Sequence, residues 1–363
     1  MLNRGTSKQR TLILGSGSMA RELLAEIRRR PRCPIDVVGV LAEPAYRGDK
    51  LGGYPVLGKL NSLVRVLKEH GPQLIIVAHA PGTVDLSEHQ LLEASVHGSF
   101  QIAQASTVYE QLSGKLPLES YDLEDVLYSE TFQPARSSLV ATRLLSLAAA
   151  VVGLVLTAPL MLLIALLIRL DSPGPALFRQ ERSGYLGRPF MLVKFRTMRH
   201  AEEHRSEWEG DNADRITGVG RWLRKFRLDE LPQFFNVLKG DMNLVGPRPH
   251  PASNIALLSL VARNTAESGV PIPYYDLRST VRPGITGWAQ VRYRYANNLQ
   301  EEIEKLHFDL YYIKHYSLAL DLQILLETVW VVFAGHTVAS DPAEEIDSPS
   351  ATGVGDRRQT TTP

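Results

Sequence analysis

Residues Leu144 to Ile168 read LLSLAAAVVGLVLTAPLMLLIALLI, 25 residues without a charge, bounded by Arg143 and Arg169. A helix that is apolar all round over this length belongs in a membrane rather than in a domain core. Pro159 sits inside the run, where its ring removes a helical hydrogen bond and crowds the carbonyl of Val155. In lipid the freed groups need another partner, so a bend is more natural there than a straight span. Arginines at both ends suit a hairpin whose ends return to one positive, cytoplasmic side. The expectation is a re-entrant helix over 144–168 that dips into one leaflet, with Pro159 as the membrane break.

Toward the N-terminus the pattern changes to short apolar runs. Thr11–Leu14, Val37–Val40, Leu74–Val77 and Phe100–Ala103 are separated by helix-length segments, and Leu23, Leu24 and Ile27 fall on one helical face. Strands alternating with helices predict parallel βαβ units, a Rossmann-like α/β domain over residues 10–118. Residues 119–142 mix charge with Pro134 and Ser137-Ser138 and read as a linker. The turn Gly15-x-Gly17-x-x-Ala20 follows the first strand, so a dinucleotide on a helix N-terminus is one alternative. It would make the protein a nucleotide-sugar oxidoreductase or epimerase, with Glu43 on a ribose. Tyr46 and Lys50 have a catalytic-looking spacing but fall too early in such a fold. A second alternative is a non-catalytic membrane scaffold that senses nucleotide through this domain.

Beyond Arg169 the chain is locally basic. Arg169, Arg179, Arg182, Arg188, Lys194, Arg196 and Arg199 face only Asp171 and Glu181, and Arg221, Arg224, Lys225 and Arg227 follow. The whole chain balances 40 Lys and Arg against 39 Asp and Glu, which gives no global pull toward nucleic acid. Its single cysteine, Cys33, excludes a disulfide framework and a Cys-rich zinc site. Helices are expected from Arg221 into Val237, from Leu299 to Tyr316 and from Leu318 to Phe333. The last has an apolar stripe (Leu322, Leu325, Leu326, Val329, Val332) suited to a membrane surface or a core. A mainly α domain over 143–338 and a disordered polar tail over 339–363 complete the expected organisation.

The sharpest constellation is Arg227-Leu228-Asp229-Glu230-Leu231-Pro232, followed by a second segment from Gly240 to Pro249. Adjacent carboxylates among cations suit a diphosphate substrate. One can hold Mg²⁺, which bridges phosphate oxygens, and the other can attack phosphorus. A carboxylate nucleophile needs no general base, because its reference pKa of about 4 leaves it ionised at neutral pH. The plainer reading is that the pair favours a helix N-terminus, with the arginines as a solvated face.

Several ordered motifs decide between these readings. Leu170–Pro175, Phe178–Arg182, Lys194–Met198, Arg227–Asn236, Leu244–Pro249 and Arg282–Val291 together resemble the bacterial sugar transferase family. These are the small monotopic phosphoglycosyl transferases, or polyprenyl-phosphate hexose-1-phosphate transferases. The resemblance covers about Arg143 to Phe333, and the N-terminal region resembles the Rossmann-like domain of larger exopolysaccharide members. It implies a monotopic catalytic domain on the cytoplasmic face of the inner membrane. It also implies transfer of sugar-1-phosphate from a nucleotide-sugar, a UDP-hexose such as UDP-glucose or UDP-galactose, to undecaprenyl or another polyprenyl phosphate.

By resemblance, Asp229 is the nucleophile that forms an aspartyl-phosphosugar, and Glu230 is the Mg²⁺ ligand. Lys194, Arg196, Arg248, Arg282 and Gln290 would contact phosphates, nucleotide or sugar. All these motifs follow Arg169, so the N-terminal domain is expected to be accessory and a candidate surface for a homodimer. The chain departs from the family in two places. Ala158-Pro159 stands where a Ser-Pro pair is usual, and Ser146 stands where an acidic residue is common. Larger members often begin with several transmembrane helices, and a shortened architecture is expected here.

Overall fold

The computed structural model describes residues 8–78, 100–118, 121, 132–199, 215–251, 275–293 and 299–334. The tail over 339–363, and most of 119–131, lie outside them. The apolar runs near the N-terminus form a sheet of β1 (Gln9–Leu14), β2 (Ile35–Ala42), β3 (Lys50–Leu51), β4 (Tyr54–Lys59), β5 (Leu74–Val77) and β6 (Gln101–Gln104). Its order is β3-β4-β2-β1-β5-β6. Every neighbouring pair is parallel except β3 and β4. The helix α1 (Ser18–Arg29) buries Met19, Ala20, Leu23, Leu24 and Ile27 on the sheet, and α2 (Leu63–His70) buries Leu63 and Val66. The β3–β4 hairpin was not among the expected strands. Its signal is Gly52-Gly53, both at positive φ (57° and 91°), which a two-residue hairpin turn requires.

The helix α3 (Ala105–Ser113) joins the N-terminal layer to the rest. Its Ala105 and Val108 pack in the core of the sheet. A few residues later the chain has changed cores. Leu116, Leu118 and Phe132 are buried with Leu244, Val245, Trp288, Leu310 and Ile313. The domain boundary expected at 118 and the linker expected over 119–142 therefore need correction at their edges. Three apolar residues among many polar ones left no periodicity to read.

The apolar segment lies within α4 (Arg136–Asp171), a helix of 36 residues and the one described helix long and apolar enough to cross a membrane. It begins eight residues before the uncharged run and continues across Pro159 instead of breaking into two. The Thr157 hydroxyl donates to the Gly153 carbonyl at 2.7 Å, a contact of the kind that bends helices. Both ends of α4 are held. Arg143 donates to the carbonyls of Val237 and Met242 at 2.8 Å each, and the Ser146 hydroxyl accepts from the Leu244 amide at 3.1 Å. At the other end Ile164 and Ile168 pack with Phe195 and Leu223, and the Asp171 carboxylate accepts from the Val219 amide. Between these anchors Val151, Val152, Val155, Leu156, Leu162 and Leu163 are exposed.

The remaining elements are short except for the last two helices. β7 (Leu177–Ser183) and β8 (Pro189–Phe195) make an antiparallel hairpin. They are followed by α5 (Gly218–Lys225), α6 (Gln233–Lys239), β9 (Asn243–Val245), β10 (Gly284–Thr286), α7 (Trp288–Arg292), α8 (Leu299–Lys314) and α9 (Leu318–Ala334). The single helix expected from Arg221 into Val237 is thus two, separated at Arg227, whose φ of 54° is left-handed. On α9 the residues Leu322, Leu326, Val329 and Trp330 are exposed.

Phe132→Ala should destabilise the chain by about 3–5 kcal/mol, the usual range for emptying a buried aromatic site. Val64→Ala, on the exposed side of α2, should cost under about 1 kcal/mol. Denaturant unfolding in detergent checks both. Equal, small effects would mean that residue 132 does not belong to the second core.

Candidate active site

The left-handed turn at Arg227 sets up the site. It stops α5 and throws the chain into a single 3₁₀ turn, Leu228–Glu230, before Pro232 restarts a helix. A non-glycine residue in that conformation stores strain, and such strain concentrates at functional positions. The result is two adjacent carboxylates that are both buried: Asp229 is 9% exposed and Glu230 is 8% exposed.

Cations arrive from separate elements. β8 carries Lys194 one residue before its end, paired in register with Phe178, and its ammonium lies 5.2 Å from the Phe178 ring centre. The loop after β9 brings Arg248, which donates to Glu230 Oε1 at 3.2 Å and to Gln290 Oε1 at 3.1 Å. Arg227 donates to the same Gln290 oxygen at 3.3 Å. Asn236 fixes the hairpin to α6. Its side chain donates to the Met191 carbonyl at 2.7 Å and accepts from the Val193 amide at 3.1 Å, which sets the height of Lys194 beside the carboxylates.

The electrostatics follow from this crowding. Burial pushes the Asp229 carboxyl up, and the neighbouring Glu230 adds to that, while Lys194, Arg248 and Arg224 oppose it. Burial likewise pulls Lys194 down to about 8, helped by Arg248 and Arg182 and resisted by Asp229 and Glu230. An acidic pair that is partly desolvated and surrounded by cations is arranged to receive a polyanion.

Beside Arg248 lies a cleft of about 330 Å³, lined by Pro189, Pro247, Pro249, Tyr275, Asp276 and Ser279 among others. Its back is stiffened by a buried network missed in the sequence. Arg278 pairs with Asp309 at 2.8 Å and also donates to the Arg248 carbonyl, to Tyr275 and to His250. His250 is held neutral, its pKa well below the usual value, by burial first and then by Arg278 and other cations.

Two expected site residues are placed elsewhere. Arg196 donates to the carbonyls of Ile168, Ser172 and Pro173, closing the C-terminal end of α4, where the last carbonyls lack helical partners. Arg282 donates to the Gly240 carbonyl at the end of α6 and lies 5.1 Å from the Tyr185 ring centre. Both cations cap helix ends instead of joining the cluster around Asp229. Gln290 is in the cluster, but its oxygen is occupied in aligning two arginines.

The Gly-rich turn in the N-terminal layer is also occupied from within. The Glu43 carboxylate accepts from the Ser16 amide at 2.6 Å and from the Ser16 hydroxyl, where a phosphate would lie. The Tyr46 hydroxyl donates to the Lys50 carbonyl at 2.6 Å. Neither residue is arranged as the oxidoreductase alternative requires.

Comparison with known proteins agrees with this geometry. Residues 137–335 match the family described as bacterial sugar transferase, and residues 1–80 match a CoA-binding domain. The chain is 45% identical over 188 residues to a UDP-N-acetylgalactosamine-undecaprenyl-phosphate N-acetylgalactosaminephosphotransferase of Aeromonas hydrophila, covering 52% of this chain and 42% of that protein. It is 32% identical over 339 residues to a UDP-glucose:undecaprenyl-phosphate glucose-1-phosphate transferase of Escherichia coli, covering 91% and 69%. A protein of the same description from Caulobacter vibrioides is 46% identical over 190 residues, covering 52% and 67%. The chain therefore spans less than half of the first relative's length and about two thirds of the other two.

Because Lys194 loses its charge as pH rises through about 8, affinity for UDP should weaken above that pH. The limiting slope is about tenfold per unit if one proton is coupled to binding. Lys194→Arg, whose guanidinium stays charged, should flatten the profile. Calorimetric titration across pH 7–9.5 checks this, and an unchanged slope in the variant would remove Lys194 from the anion site.

Proposed function

The chain belongs to the bacterial sugar transferase family, and on that premise we propose that it moves a sugar-1-phosphate from a UDP-hexose to undecaprenyl phosphate at a membrane surface. The observation that carries this reading is the pair Asp229 and Glu230, buried side by side and met by Lys194 and Arg248. The cleft beside Arg248 then takes the nucleoside, with its proline and tyrosine walls against the base.

The chemistry follows from charge. An Asp229 oxygen attacks the phosphorus that bears the sugar. The bond from that phosphorus to the bridging oxygen breaks, and UMP leaves with the oxygen and its electron pair. Undecaprenyl phosphate, already anionic, attacks the same phosphorus, the Asp229–phosphorus bond breaks, and the carboxylate is restored. Lys194 and Arg248 stabilise charge on the phosphoryl oxygens, and Gln290 keeps Arg248 in place. One phosphoanhydride replaces another, so little net driving force is needed.

The donor set fits Mg²⁺. Among the described residues there is no cluster of three or more His, Cys, Asp or Glu that would hold an ion by protein alone. Mg²⁺ commonly rests on one or two carboxylates plus substrate phosphates and water. Glu230 is the ligand in this reading. Held by Glu230, the ion would supply neutralising positive charge at the phosphate oxygens.

The membrane segment brings a lipid-anchored acceptor to a water-soluble donor. Its re-entrant course is supported by what its two ends touch. Ala150 packs with Val237 of α6, and a Cβ on Gly153 would lie 2.9 Å from the Phe234 ring. Fourteen residues beyond Ala150, Ile164 packs in a cluster that includes Leu228 and Leu231, just before α6. Both stretches of the helix thus pack on the same soluble unit, and that shared contact supports a course that returns to one side. That unit lies on the cytoplasmic side of the inner membrane, where UDP-hexoses are.

Three outcomes are expected. Asp229→Asn should abolish UMP release from UDP-hexose, a loss of roughly a thousandfold or more. Glu230→Gln should slow turnover and raise the Mg²⁺ concentration for half-maximal rate while leaving UMP release measurable. Steady-state assays in nanodiscs check both, and equal losses with unchanged Mg²⁺ dependence would contradict the division of roles. Single cysteines at Ser137 and Pro175, in a Cys33→Ser background, should both resist an impermeant thiol reagent in intact cells. Labelling of one site alone would indicate a true span.

A further inference from the structure

The N-terminal layer ends on a motif of the active site. α3 stops at Gly114, whose φ of 70° suits glycine, and the Gly114 carbonyl accepts from the indole N–H of Trp288 at 2.8 Å. A Cβ at Gly114 would lie 3.0 Å from that ring. Trp288 is buried, stacks on Tyr311 with ring centres 5.6 Å apart, and has the Arg292 guanidinium 4.3 Å from its own centre.

The turn that presents Gly114 is pinned on both sides. Before it, buried Glu110 receives Lys314 at 2.9 Å and His315 at 3.2 Å. After it, the Leu116 amide donates to the His307 carbonyl at 3.0 Å, and His307 Nδ1 lies 2.6 Å from the Leu116 carbonyl. Trp288 opens α7, a helix of only five residues, and Gln290 stands two residues on. So short a helix has little rigidity of its own, and its orientation is set by what holds its ends. At one end that is Trp288 on Gly114, and at the other Arg292 on Glu327 at 2.7 Å.

We propose that Trp288 is a positioning residue. Anchored on the Gly114 carbonyl, it sets α7 so that Gln290 holds Arg227 and Arg248 in line with Glu230, which makes the end of α3 a working part of the catalytic unit. The roles of Arg248 and Glu230 rest on the function proposed above. On this proposal residues 110–118 fall outside the expected accessory domain and join the catalytic unit.

A double-mutant cycle on the full chain tests this, using Trp288→Phe, which keeps a ring and removes the N–H, and Gln290→Ala. Trp288→Phe should lower kcat for UMP release roughly tenfold, the scale of one lost buried hydrogen bond, in the parent background. It should lower it by little or nothing once Gln290 is gone, because residues acting through one another are not additive. The same cycle read as the Kd of UDP needs no turnover. Gly114→Ala, which pushes on the ring from the other side, should reproduce the effect and serves if Trp288→Phe does not fold. Equal losses in both backgrounds, or a lowered melting temperature with kcat and Kd unchanged, would overturn the proposal. A parent protein that binds UDP yet releases no UMP from any UDP-sugar would instead overturn the function.

Discussion

Two adjacent carboxylates withdrawn from water repel each other and lose hydration, so they persist only if cations are built around them. That requirement organises the catalytic half of this protein. The left-handed Arg227 breaks the helix and turns Asp229 and Glu230 inward. β8 brings Lys194, the loop after β9 brings Arg248, and α7 brings Gln290 to keep two arginines aligned. Even so, burial and mutual repulsion leave Asp229 above the usual carboxylate range. The same desolvation strengthens every charge interaction within the cluster.

The long helix answers a different constraint, an apolar surface too large for a domain core. Its flanks pack on the soluble unit and the stretch between them is exposed and apolar. Thr157, two residues before Pro159, returns its hydroxyl to the Gly153 carbonyl, a side chain-to-backbone bond inside the helix that needs no serine at position 158. Ser146, in the place of an acidic residue, is turned inward to the Leu244 amide and serves packing instead of a surface contact.

Much of this was legible in the sequence because it is written in composition. The uncharged run, the apolar strands and the Asp229-Glu230 pair among cations each leave a local mark. What was illegible depends on partners far along the chain. An arginine that caps a helix and an arginine that binds phosphate are the same letter, so the carbonyl contacts of Arg196 and Arg282 leave no mark in the sequence. The turn at Arg227 shows nothing, since a left-handed arginine has no sequence signature. The β7–β8 hairpin was missed because most of Leu177–Ser183 is solvent-facing, which hides the alternation of a buried strand. The bond between Trp288 and Gly114 spans 174 residues, and no local pattern announces it.

The central claim is that Asp229 carries the phosphosugar between donor and acceptor. Purified protein incubated with Mg²⁺ and UDP-hexose labelled at the β-phosphate, without undecaprenyl phosphate, tests it most directly. The account predicts label on the protein, located by mass spectrometry to the peptide containing Asp229, removed by hydroxylamine and discharged by undecaprenyl phosphate. Active enzyme that never acquires label with donor alone, and releases UMP only after the acceptor is added, would contradict it.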